Sequence, residues 1–303
     1  MDAATFPVTA AYRGQRLDRF LQQMLPRMSR SAIQLAIGER VQLASGLPPK
    51  AARRLVVGDA VTITPATAPP PRECTIATLA TGLGWLVVDK PAGITCTPGS
   101  RRPGDDLATR LQAAPAHRLD RFTSGCLLLT RERTTARALD RAFRAHRITK
   151  DYVAIVDGIV ARDRFVIDAP LGLAPHTRVT GKVGVRPDGL VATTQVEVLA
   201  RLPDRTLLRV SPRTGRRHQI RVHLAHAGHP IVGDLLYGPD ERQFIRLQRG
   251  QPVTVPSGLS AGRHLLHAER LAFDEPASGQ RIEVVAPWPA DFGGVLGAGA
   301  KPI

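Results

Sequence analysis

Residues 117–125 read HRLDRFTSG and set one carboxylate, Asp120, between Arg118 and Arg121, just ahead of a Thr-Ser-Gly turn signal. An ionised Asp is a nucleophile or charge stabiliser for an electron-poor sugar or base carbon, as in glycosyl transfer. In a partly desolvated pocket, burial alone would raise its pKa and neutralise it, so it needs a cation close by. Arg supplies a permanently charged, bidentate partner. The chain offers Arg118, Arg121 and, on a later helix, Arg217 and Arg221. On local features alone, Asp120 reads at least as readily as one member of an ordinary surface ion pair.

Other chemistries find little support. HTRVTGKV (176–183) lacks the first Gly and the last Ser/Thr of a P-loop, and neither a dinucleotide fingerprint nor a Gly-x-Ser-x-Gly elbow occurs. His218, His223, His226 and His229 cluster, but offsets of five and three do not put the first three on one helix face. Anchoring or RNA-facing roles are expected for them, and no metal or cofactor. His117, Asp120 and Ser124 lie too close in sequence to converge as a hydrolase triad.

The chain of 303 residues has 43% hydrophobic content, enough for one large domain or a large and a small one. Its 42 Lys+Arg against 26 Asp+Glu give a net charge of +16. Such an excess repels itself in a compact fold unless a polyanion uses it, which points first to nucleic acid and second to an anionic membrane surface. Three widely spaced cysteines and no apolar run of signal or membrane-span length lead to the expectation of a reduced, cytoplasmic protein off the membrane. Nothing suggests an obligate partner, so a monomer is expected.

These residues need elements to hold them. Leu17, Phe20, Leu21 and Met24 recur at helical spacing up to Pro26, and Ser29 resembles the N-cap of a second helix carrying Ile33, Leu35 and Ile37 and stopped by Gly38. With the strand-like RVQLA and RRLVVGDAVTITP, residues 1–64 read as a small basic unit. Residues 65–74 begin PATAPPPR and read as a proline-rich linker. Beyond it, strands are predicted in GWLVVDKPAG, GCLLLT, DYVAIVDGIV, RTLLRVSP, RHLLHAERLAF and QRIEVVAP. Helices are predicted through Ala136, Leu139 and Phe143, and through Ile220, Leu224 and Ala227 up to Gly228. Strands outnumber helices without alternating with them, so residues 75–303 are expected to form an α+β domain.

HRLDRFTSG resembles the signature of the RluA-type pseudouridine synthases. So do VVDKPAG (87–93), KDYVAIVDG (150–158), TGRRHQIRVHLAHAGHPIVGDLLYG (214–238) and RHLLHAERLAF (263–273), all in the family's order. The resemblance implies a mixed, largely antiparallel catalytic sheet and an RNA uridine isomerase without a cofactor. The N-terminal unit is similar to an S-four-like RNA-binding module, through RLDRFL, SRSAIQ and VGDAV, with Ser45-Gly46 where Asn-Gly is usual. Phe122 stands where an acidic or polar residue is common.

Carried over residue by residue, the resemblance makes Asp120 the nucleophile, Tyr152 the residue that stacks on the everted base, and Arg221 the partner of the carboxylate. It makes Arg118 the contact where the uridine leaves the stack. His117, Arg121, Lys150 and Arg217 become RNA-contacting or structural residues, with Arg16 and Arg30 as RNA contacts of the N-terminal unit. By analogy with that module, large-subunit ribosomal RNA is favoured over transfer RNA as partner. A catalytically silent RNA-binding or ribosome-assembly protein, and a glycosidase releasing free uracil, stay as alternatives at this point.

Overall fold

The computed structural model describes residues 3–26, 28, 30–64, 74–98, 105–248, 251–256, 259–260 and 262–296. The helix start expected at Ser29 and the linker up to residue 73 lie outside them. The chain divides into two compact units, residues 1–72 with 98–110, and residues 73–97 with 111–303. Residues 98–110 thus group with the first unit, a difference from the unbroken domain expected from 75 onward. That polar, Pro- and Gly-containing stretch has no periodic pattern to tie it to either core.

The first unit contains β1 (Ala4–Pro7), α1 (Leu17–Met24), α2 (Arg30–Glu39), β2 (Val41–Leu43) and β3 (Ala60–Ile63). Its three strands form an antiparallel sheet in the order β1-β3-β2. The α1 stripe is buried as its spacing predicts, with Leu17, Phe20 and Leu21 packed in one core with Ile33, Ile37 and Val61. Arg16 forks onto Asp18 with bonds of 3.0 and 2.8 Å, so this arginine is engaged within its own unit. Arg30 is exposed as the first residue of α2.

The second unit is α+β, as expected. Its strands are β4 (Ala77–Gly82), β5 (Trp85–Lys90), β6 (Ala114–Pro115), β7 (Ser124–Thr130), β8 (Thr149–Asp157), β9 (Arg164–Asp168), β10 (Leu171–Leu173), β11 (Val183–Val185), β12 (Thr193–Arg201), β13 (Arg205–Pro212), β14 (Leu266–Asp274) and β15 (Arg281–Val285). Its helices are α4 (Arg133–Arg144), α5 (Gln219–His226), α6 (Glu241–Gln248) and α7 (Ala290–Leu296), while the short α3 (Leu107–Leu111) lies between β5 and β6 in sequence. Ten strands make one sheet in the path β4-β5-β7-β14-β8-β13-β12-β9, with β15 on β14 and β6 on β7. Every pairing among them is antiparallel except β7 with β14.

That parallel contact explains the Thr-Ser-Gly signal. Thr123 Oγ1 and Ser124 Oγ lie 2.9 Å from His264 Nε2 and His267 Nδ1, tying the start of β7 to β14. Gly125 then pairs with Ala268 at φ +106°, where a Cβ would fall 2.3 Å from the Ala268 carbonyl oxygen. Only glycine permits that approach. On one face of the sheet Leu128, Leu139, Phe273 and Trp85 share a core. Away from that core, exposed and half-buried arginines are paired in cross-strand ladders. Arg164 and Arg209 both meet Glu197, at 2.6 and 3.3 Å, and Arg270 meets Asp151 and Glu283, at 2.8 and 2.6 Å.

Replacing Gly125 by Ala forces a side chain into this backbone contact at a left-handed φ. The variant is expected to lose about 2–4 kcal/mol in chemical denaturation; unchanged stability would show that the β7–β14 approach is not tight.

Candidate active site

Asp120 sits in a turn closed by a bond of 3.1 Å from Thr123 N to its carbonyl. The chain around it is held by buried groups on both sides. Lys90, wholly buried, donates its ammonium to the carbonyls of Pro91, Ile94 and Arg121 at 2.9, 2.8 and 3.0 Å. Burial pushes its pKa down to about 8. Arg263, 2% exposed, donates to the Phe122 carbonyl at 2.8 Å and to Ser124 Oγ at 3.2 Å, and meets Asp291 of α7 at 2.6 Å. Cys96 Sγ bridges the backbone N and O of Leu119 at 3.3 Å each. The main chain is thus fixed at residues 119, 121 and 122, and the Asp120 side chain, 25% exposed, projects from it.

That side chain meets Arg221. Nη1 of Arg221 donates to Asp120 Oδ2 at 2.7 Å, while Nε and Nη2 fork onto Asp234 at 2.7 and 2.8 Å. Asp234 also accepts from the backbone N–H groups of Leu236 and Tyr237 at 3.0 and 3.1 Å. The guanidinium carbon lies 5.0 Å from the centre of the Tyr237 ring. One buried arginine is therefore aimed by a carboxylate that the backbone holds, and its remaining edge is given to Asp120. Burial works to raise the pKa of Asp120, but Arg221 above all outweighs it and holds the carboxyl below its ordinary value. Burial opposes the charge of Arg221 too, and the two carboxylates more than offset it.

Among the described residues, no hydrogen bond reaches the second Asp120 oxygen. His218 Nε2 lies 3.8 Å from Oδ1, too far for a hydrogen bond. His218 caps α5 in the left-handed conformation at φ +55° and faces Tyr237 Oη through Nδ1 at 2.8 Å. Val183 N donates to that phenol oxygen at 3.3 Å. Burial lowers the His218 pKa to about 4 and that of His264 to about 3, so both are neutral at pH 7. Tyr152, 8% exposed on β8, has its phenol pushed up by burial first and by the Asp120 charge second. It stays neutral, with no hydrogen bond joining it to the carboxylate among the described residues.

The other expected site residues are distributed differently. Arg118 is exposed next to Asp120. Arg121 is tied back, its Nε donating to the Gly93 carbonyl at 2.8 Å and its guanidinium 5.4 Å from the Phe122 ring centre. His117 accepts from Leu128 N at 3.1 Å and packs on Phe143 at 5.3 Å, and burial takes its pKa to about 3. Lys150 alternates with Tyr152 on one face of β8, half-buried, its ammonium 5.7 Å from the Phe143 ring centre. Arg217 is exposed and precedes α5, which begins at Gln219. The expectation that it lies on that helix is corrected, because His218 takes the left-handed conformation between them. The histidines disperse: His223 is buried against Thr194 Oγ1 and the Ala169 carbonyl, and His226 is exposed. No group of three or more potential metal ligands forms among the described residues.

The family model for RNA pseudouridylate synthase matches residues 84–226, which include Asp120, Tyr152 and Arg221. Across nearly the whole chain, the sequence is 35% identical to an uncharacterised RNA pseudouridine synthase of Chloroflexus aurantiacus, covering 93% of this chain and 89% of that one. The chain belongs to the RluA-type RNA pseudouridine synthases. It is an isomerase converting uridine to pseudouridine in RNA. It is 33% identical to ribosomal large subunit pseudouridine synthase D of Xanthomonas campestris pv. campestris, over 97% of this chain and 91% of the relative. Identity to synthase C of Vibrio vulnificus is also 33%, over 90% and 89%. Among solved structures, human RNA Pseudouridylate Synthase Domain Containing 1 superposes with a TM-score of 0.56 at 26% identity, over 70% of this chain and 83% of that one.

Sequence reasoning left Lys90, Asp234, Tyr237 and Arg263 without a site role, and gave His218 only a general anchoring or RNA-facing one. All five lie inside the blocks that resemble the synthases, so the signal was present, but partnership across the sheet carries no local pattern.

Arg221→Lys keeps the charge and loses the fork that serves two carboxylates. Asp120 ionises below its ordinary pKa, so wild-type activity is expected to persist at acid pH until that depressed value is passed. In the lysine variant turnover is expected to fall roughly 100-fold and the acid limb of the pH–rate profile to move up. A limb that does not move would sever Arg221 from the ionisation of Asp120.

Proposed function

We propose that Asp120 is the nucleophile of this synthase and that its RNA is large-subunit ribosomal RNA. The contact of Arg221 with Asp120 Oδ2, which keeps the carboxylate charged and leaves Oδ1 open, is the observation that carries the first part. The names of the relatives from Xanthomonas campestris and Vibrio vulnificus support the second.

In this reading the target uridine leaves the RNA stack, with Tyr152 offering a ring to the everted base. Exposed Arg118 meets the RNA at the point of exit. Oδ1 of Asp120 engages the nucleoside and assists cleavage of the bond between base N1 and ribose C1′. The uracil turns, C5 bonds to C1′, the proton on C5 leaves and N1 takes one up. Product and substrate are isomers, so the steps balance without an electron acceptor or external energy. The neutral phenol of Tyr152 and the neutral imidazole of His218 leave Asp120 as the negative charge of the pocket, with Arg221 opposite it.

Asp120→Asn preserves shape and removes the charge. It is expected to bind RNA nearly as tightly as the parent and to form no pseudouridine, measured by nucleoside analysis of ribosomal RNA from cells lacking the protein. Normal conversion would end the nucleophile assignment. Liberated uracil from the parent would favour a glycosidase, and no change in any RNA a silent binding protein.

A further inference from the structure

Helix α4 carries Arg133, Arg137, Arg141 and Arg144. At 3.6 residues per turn these four fall within about 80° of arc, opposite the stripe of Thr135, Leu139 and Phe143 that faces the sheet. All four are exposed. Arg144 pairs with Asp140 at 3.0 Å, but Arg133, Arg137 and Arg141 have no ion pair or side-chain hydrogen bond among the described residues. The contrast with the sheet is plain, where Arg164, Arg209 and Arg270 each find a carboxylate.

The row works against its own helix. Like charges three and four residues apart repel each other. Arg133 opens the first turn, where the helix dipole disfavours a cation; Glu132 stands at the N-cap, and the turn itself holds no acid. The C-terminal end of α4 lies at the border of the site. The Phe143 ring packs 5.3 Å from His117, three residues before Asp120, and 5.7 Å from the Lys150 ammonium, which shares a face of β8 with Tyr152.

We propose that the outer face of α4 is a second RNA-binding surface, a row of arginines that holds the phosphates of the strand flanking the target uridine. It spans roughly 16 Å along the helix axis. The inference rests on the reading that RNA is worked on at Asp120, and it adds where the strand runs once it leaves that pocket. The occupant is a phosphodiester backbone and not bases, because unpaired guanidiniums in one row with no aromatic between them attract charge without reading sequence.

The test compares two charge-matched double variants, Arg137→Gln with Arg141→Gln, and Arg162→Gln with Arg242→Gln, exposed arginines outside α4. Gln is a good helix former, so α4 is retained. Binding of fluorescein-labelled polyuridylate of 40 and of 6 nucleotides is followed against salt. For the 40-mer, the α4 variant is expected to flatten the slope of log affinity against log salt by about 1.4, at about 0.7 for each phosphate no longer neutralised. For the 6-mer it is expected to match the parent, and the control pair to match it on both. Equal slopes for the two double variants on the 40-mer, an equal loss on both lengths, or no binding of either length would overturn the proposal. The slope does not depend on turnover, so a failure here is separate from a failure of Asp120 to form pseudouridine.

Discussion

One guanidinium shared by two carboxylates is the contact that the site depends on. Arg221 is buried, and a charge in that position is tolerated only where it is paired and its donors are used. Asp234 uses two of them and is itself fixed by the backbone N–H groups of Leu236 and Tyr237. A third donor, on Nη1, fixes where the Asp120 carboxylate sits and keeps it charged against the pull of burial. Such a triad adds little to stability compared with a packed apolar core, and its value is positional. Two acids of the same type take different parts because one is filled by protein donors and the other has an oxygen left over.

The loop that carries Asp120 is rigid for a related reason. Its carbonyls are taken by Lys90 and Arg263, two long cations that are almost wholly buried and spend their donors on backbone. Burial lowers the pKa of Lys90 to about 8, yet three carbonyl acceptors suit its charged form. Thr123, Ser124 and Gly125 then pin the loop to β14 through two histidines and one close backbone approach. The positive excess in the sequence therefore has at least three uses. Some of it is inside, building the pocket; some is neutralised in ladders on the sheet; and some stands unpaired on α4.

Much of this was legible in the sequence where one element carries the signal. The stripes of α1 and α4 have a period and the apolar run of β7 is unbroken and buried throughout, whereas α5 is buried on nearly every side and Ala227 of its expected stripe is the exposed C-cap. The α+β class followed from the order of strands and helices. β1, β10 and β11 are three or four residues long, too short to show a pattern. Asp120 and Arg221 were recognisable because motif blocks mark them. Asp234 was not, because its importance comes from a contact thirteen residues away in sequence that only the turn after α5 creates. The difference at Arg217 has the same origin, since a left-handed His218 cannot be read from an Arg-Arg-His-Gln run. The reverse holds for Arg16, whose fork onto Asp18 two residues later is local.

The claim that Asp120 is anionic inside a buried setting is tested most directly by its own titration. In the folded protein labelled with carboxyl-13C aspartate, the resonance assigned by its loss in Asp120→Asn would be followed as pH falls. The midpoint is predicted to lie below the ordinary Asp value of about 3.9. A midpoint at or above that value would mean that burial wins over Arg221, and the electrostatic basis of the site would be contradicted.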